Sequence, residues 1–188
     1  MKNGHAIMNS YSSGKDSSTT LDLTFRAALE LKAGFGHAPP IFITHADTGV
    51  ENPEIAKHAK SEIQKIKAFV KKHRLEAHVH VAKPDLYSTW PVQVIGGRFL
   101  PIFANMPNRA CTVDFKVNPM RRLKKGIIKQ TGLKKEDFIT LLGTRFDEST
   151  VRGQRMEDRK ETDDIPWHSE KDDGMALNFI ANSTTKNV

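Results

Sequence analysis

A disulfide framework is ruled out at once, because the chain has a single cysteine, Cys111. One thiol in 188 residues fits a reducing cytoplasm. No apolar run approaches the length that spans a bilayer, and no charged-then-apolar signal segment opens the sequence. A soluble, cytoplasmic protein with no membrane partner is therefore expected. Acidic residues are in the minority, 22 Asp and Glu against 29 Lys and Arg, for a formal charge of +7. That balance favours a polyanionic partner, whether nucleotide, nucleic acid or both, although a basic surface that serves solubility alone is at least as common. The length suits one domain with a real core.

A Walker A sequence is also missing. That pattern needs four residues between its first glycine and a Gly-Lys-Ser/Thr ending, whereas here Asp16 directly follows Gly14-Lys15. What stands in its place is Ser12-Ser13-Gly14-Lys15-Asp16-Ser17, running from a short apolar strand (6–11) into a helical pattern (18–31). Small residues let a ligand approach the backbone, and Gly14 is free to take dihedrals that others avoid. The N–H groups of Ser12, Ser13 and Gly14 are expected to point at an anion together. The helix start adds unpaired amides and Lys15 a full charge. The plain structural alternative is a Ser/Asp-capped helix.

Strand and helix signals alternate from there. Strand 41–45 ends at Asp47-Thr48-Gly49, then Asn52 and Pro53 suit the cap and first position of a helix reaching about residue 73. In an open parallel sheet ligands lie beyond the carboxyl ends of strands, where Asp47 is placed. Strand 77–81 puts His78 and His80 on one face, without the carboxylates or cysteines a metal would want. Residues 86–107 loosen around a Gly96-Gly97 turn. Cys111 precedes Lys116, and Asn118-Pro119 is expected to cap and open a helix bearing Arg121, Arg122, Lys124, Lys125 and Lys129, a run suited to polyanion contact. The wholly apolar strand 138–142 delivers Gly143-Thr144-Arg145-Phe146-Asp147-Glu148-Ser149-Thr150-Val151-Arg152.

Four of these segments together resemble one superfamily. Ser12 to Ser17 resembles the pyrophosphate loop S-G-G-K-D-S of the adenine nucleotide alpha hydrolases (PP-loop proteins), in their phosphoadenosine phosphosulfate (PAPS) reductase branch, with Ser13 in place of the second glycine. Asp47-Thr48-Gly49 resembles that branch's D-T-G, Cys111 to Pro119 its C-x-x-x-x-K-x-x-P, and Gly143 to Arg152 its G-x-R-x-x-E-S-x-x-R. The pattern is closest to the DndC-like ATP pyrophosphatase of DNA phosphorothioation, which segment 90–101 also resembles.

The resemblance implies an α/β fold, a mainly parallel twisted sheet with helices on both faces. It covers about residues 6–152, so 1–152 is expected to be the nucleotide-binding domain and 153–188 a charged, loop-like C-terminal extension. It implies ATP and Mg2+ as cofactors. Ser12, Ser13, Gly14, Lys15, Asp16 and Ser17 would hold pyrophosphate, and Asp47 and Gly49 would lie beside the nucleoside. Lys116, Arg145 and Arg152 would sit on the reacting phosphate, with Glu148 orienting an arginine. Asp16 and Asp47 are the candidates for magnesium. Cys111 is the one candidate thiol, or else a small buried hydrophobe. Related enzymes carry a four-iron cluster on four cysteines, so with one cysteine no cluster is expected.

The implied activity is an ATP pyrophosphatase that adenylylates a phosphate, in a DNA backbone, for sulfur insertion. Its partners would be DNA and a sulfur-donor protein such as a cysteine desulfurase, with homo-oligomerisation left open. Two alternatives are a sulfonucleotide reductase that borrows an external thiol and a subunit that senses nucleotide or binds DNA without turnover.

Overall fold

Ile41-Phe42-Ile43-Thr44-His45-Ala46 is buried along its whole length, as a strand covered on both faces requires. It is the second of six strands among the residues that the computed structural model describes, which are 5–97, 112–146, 150–158, 167–170 and 174–183. In chain order the strands are β1 (Ala6–Ser10), β2 (Ile41–Ala46), β3 (Ala77–Ala82), β4 (Phe138–Leu141), β5 (Trp167–Glu170) and β6 (Gly174–Leu177). The helices are α1 (Lys15–Phe35), α2 (Pro53–His73), α3 (Trp90–Ile95), α4 (Asn118–Thr131) and α5 (Thr150–Asp158). The sheet order is β3-β2-β1-β4-β6-β5. All neighbours pair in parallel except β5, which runs antiparallel to β6 at the edge. The fold is thus α/β with a mainly parallel sheet, as expected.

Alternation along the strands decides which side chain meets which helix. Ile41 and Ile43 point to one face, where they pack with Leu21, Phe25 and Ala28 of α1 and Ile66 of α2. Phe42 points to the other, into a cluster with Ala6, Met8, Phe138 and Ile127 of α4. Burying a side chain as large as Phe138, 2% exposed, contributes roughly 1.5–3 kcal/mol, so both helix layers hold the sheet.

Three boundaries differ from the sequence pattern. Helix α1 begins at Lys15, not Ser18, and runs through Gly34; the left-handed Gly36 (φ 77°) ends it, its N–H donating to the Lys32 carbonyl. A glycine inside a helix weakens it without stopping it. Asn118 does not cap α4. Helical backbone already begins in a π turn, Val113–Val117, and Asn118 is helical with its Nδ2 donating to Asp114 Oδ1 at 3.3 Å. Asn52 does cap α2, its Oδ1 accepting the Glu54 N–H at 2.9 Å, with Pro53 in the first turn.

The stretch beyond Arg152, expected to stand outside the domain as an extension, supplies two strands, and β6 lies inside the sheet beside β4. Its strands are only four residues each, too short to show against a charged background. Among the described residues no helix is long and apolar enough to cross a membrane.

Candidate active site

From β1 the chain moves through β2 to β3 on one side, then returns to place β4 on the other. Strand order therefore reverses between β1 and β4, and ligands of open parallel sheets gather beyond the strand ends at such a point. Residues 11–14 leave β1 there and residues 142–146 leave β4.

The first loop is braced from within. Ser17, 5% exposed, donates its hydroxyl to the Gly14 carbonyl at 2.9 Å and accepts the Ser12 N–H at 3.1 Å, with Ser12 Oγ 3.0 Å away. The Ser12 N–H is thus spent inside the loop, against the expectation that it points at an anion. Ser17 acts as a strut. The unusual backbone also falls on a different residue than the pattern suggested: Gly14 is extended (φ −83°), while Ser13 takes the left-handed conformation (φ 60°), its hydroxyl donating to the Ser12 carbonyl. Ser13 stands where the family pattern has glycine, so the serine carries backbone strain that glycine would not.

Gly14 precedes α1 without a side-chain cap, and the Ser18 N–H is the one that closes onto the Gly14 carbonyl. The amides of the first turn before it lack partners within the helix and carry its partial positive charge. Lys15 is exposed beside them. Such an end accepts an anion.

The second loop packs directly on this turn. A Cβ at Gly143 would lie 3.0 Å from the Asp16 carbonyl carbon and oxygen and from Ser17 Cα, so only glycine lets the two backbones approach this closely. Two residues on, Arg145 is buried, with Nε 3.1 Å from Asp16 Oδ1. The contact is an ion pair and not an aligned hydrogen bond. Gly143 was the residue whose role the sequence pattern missed. Its signal was a glycine directly after an apolar strand and two residues before an arginine.

Asp47 lies at the end of β2, as predicted. Its backbone N–H donates to the Ala82 carbonyl at 2.8 Å, Oδ1 accepts the Gly49 N–H at 3.3 Å, and Oδ2 is 3.4 Å from Lys83 Nζ. Gly49 has φ 74°, a turn that suits glycine. Tyr11, just before the loop, is buried; burial pushes its hydroxyl above the ordinary value, while a Ser18 hydrogen bond opposes the shift. Lys116 is exposed on the π turn before α4. Arg152 falls on the backbone of α5, and its side chain lies outside the described residues, as do Cys111 and Glu148.

His78 and His80 share a face, as expected, both against the Phe42 ring with centroids 5.7 and 6.0 Å apart. Burial, then the neighbouring His78, holds His80 below the ordinary imidazole value. Among the described residues no three or more His, Cys, Asp or Glu are grouped so that they could hold a metal ion. Beside His80 a cleft of about 350 Å³ opens between β3 and α4, lined in part by Lys83, Arg122 and Gln130.

No family model matches the sequence, and no curated protein does. The structure is similar to that of a U34-tRNA thiolase, NcsA, from Methanococcus maripaludis, with a TM-score of 0.50 and 12% identity. At that identity the likeness shows a shared α/β fold and nothing finer. The match covers 99% of this chain but 55% of that one, so this chain spans about half the length of the thiolase. The thiolase structure holds a 4Fe-4S cluster, which overturns the expectation that a single cysteine argues against a cluster. A cysteine count bounds only the ligands that one chain brings. It says nothing of ligands brought by other polypeptides.

Proposed function

We propose that the chain is an ATP-using enzyme of sulfur insertion, with the pyrophosphate of ATP at the N-terminus of α1. The observation that carries this is the pairing of an uncapped helix start with Arg145, buried 3.1 Å from Asp16 at the point where strand order reverses. Lys15 and the first-turn amides neutralise the pyrophosphate, and Arg145 stabilises charge developing at the alpha phosphate. An acceptor oxygen attacks the alpha phosphorus, its bond to the bridging oxygen breaks, and pyrophosphate leaves. The acceptor is then adenylylated, with AMP as a leaving group that a sulfur nucleophile from a partner protein can displace. Of the two acidic candidates for magnesium, Asp47 fits better, because its cation Lys83 is exposed and exchangeable while Asp16 is held by a buried arginine. Magnesium bound there would supply further charge to the leaving pyrophosphate.

The acceptor we propose is a DNA backbone phosphate. The four motif resemblances support it, as does α4, which carries Arg121, Arg122, Lys124, Lys125 and Lys129 and no acidic residue. A second reading, a base in tRNA, is favoured by the likeness to the tRNA thiolase. The test is incubation of the purified protein with alpha-labelled ATP and Mg2+, alone, with duplex DNA or with tRNA, following AMP and pyrophosphate. DNA-stimulated release that Lys15→Ala abolishes is expected; stimulation by tRNA alone would move the acceptor to RNA. Bound ATP with no release in any arm would reduce the protein to a nucleotide-sensing subunit.

A further inference from the structure

We infer that Asn178 is a positioning residue for Arg145: it holds residues 142–146 so that the guanidinium stays against the N-terminus of α1. The inference rests on the reading of that helix end as the phosphate site.

Arg145 lies on a segment without regular secondary structure, yet it is 4% exposed and its Nε lies 3.1 Å from Asp16 Oδ1. Something must hold that segment. The end of β6 and the stretch after it do so through a row of hydrogen bonds on one side. The Leu142 N–H donates to the Leu177 carbonyl at 3.0 Å, the Thr144 N–H to Asn178 Oδ1 at 3.3 Å, and the Phe146 N–H to the Ala181 carbonyl at 3.0 Å. Alternate residues of an extended segment face opposite ways. Those between, Gly143 and Arg145, meet α1 on the other side.

Asn178 is the member of this row that acts through its side chain. The backbone turns away after β6, and the amide reaches back in its place. It also does what a carbonyl cannot: while Oδ1 accepts the Thr144 N–H, Nδ2 donates to Thr144 Oγ1 at 2.6 Å. Asn178 is 0% exposed, so water does not replace either bond. The two bonds fix Thr144 between the glycine that touches α1 and the arginine that pairs with Asp16.

The test uses the full chain with Asn178→Ala, Asn178→Asp and Thr144→Val, the last removing only the hydroxyl that Nδ2 reaches. Two properties are measured: solvent exchange of the Arg145 Nε–H by NMR, assigned through Arg145→Lys, and affinity for inorganic pyrophosphate by calorimetry. We expect all three variants to speed the exchange. Asn178→Ala and Thr144→Val should weaken pyrophosphate binding roughly tenfold, and Asn178→Ala should add nothing in an Arg145→Ala background. If Asn178→Ala does not fold, Thr144→Val carries the test. Unchanged protection of Arg145 in the folded variants would overturn the inference. Faster exchange with pyrophosphate affinity unchanged would leave the positioning role standing and sink the phosphate site.

Discussion

Gly143 and Asp16 meet backbone to backbone, closely enough that a Cβ on the glycine would sit 3.0 Å from the aspartate's carbonyl carbon and oxygen. The loop after β4 and the first turn of α1 form one unit through this contact. Neither atom on the helix side is the far end of a flexible side chain, so an added methyl must push the loops apart. We expect Gly143→Ala to cost about 1–3 kcal/mol in urea unfolding and to weaken ATP binding. ATP affinity equal to wild type would show that the approach of the loops does not shape the site.

The ion pair that this approach permits yields a second expectation. Arg145 and Asp16 side chains are 5% and 16% exposed, so removing the arginine leaves a largely buried carboxylate without its cation. Losses of about 3 kcal/mol are usual for such a break. Arg145→Ala should lower stability on that scale and abolish pyrophosphate release. Arg145→Lys should recover part of the stability, because the charge returns without the planar fork. Full activity in Arg145→Lys would refute a role for the guanidinium geometry.

Ser13 offers a test of the loop's strain. At φ 60° a non-glycine residue is disfavoured by roughly 1–2 kcal/mol, while glycine adds unfolded-state entropy worth about 0.4–1 kcal/mol. The second only partly offsets the first, so Ser13→Gly should leave thermal stability unchanged or raise it by up to about 1.5 kcal/mol and leave ATP affinity intact. Ser13→Val, β-branched at positive φ, should be clearly destabilising. Equal stability of the two variants would contradict the left-handed assignment.

His80 sets a pH dependence. Its native value lies below the ordinary 6.5, so between those two values the unfolded chain binds a proton that the native state does not. Stability should therefore fall as pH drops from about 6.5 towards the native value and level off below it. Replacing His80 by Gln should remove that part of the slope in denaturation midpoints measured across the range. A slope unchanged by His80→Gln would assign it to another group.

The sequence by itself determined the layered α/β fold, because the apolar runs of β2 and β4 and the helical spacing of α1 and α2 are local properties that a sheet covered on both faces imposes. It also placed Ser12 to Ser17, Asp47 and Arg145 just beyond strand ends, since all of them follow strands closely in the chain. The Asn52 cap was legible for the same reason: cap and helix are neighbours in the chain. What the tertiary structure alone decided are relations between residues far apart in sequence. That Ser17 consumes the Ser12 N–H, that Ser13 and not Gly14 is left-handed, and that Arg145 pairs with Asp16 follow from how β1 and β4 lie side by side. The C-terminal stretch shows this most clearly. Four-residue strands and a buried asparagine leave almost no periodic trace, and only pairing with β4 turns β6 and Asn178 into the support beneath Thr144 and Arg145.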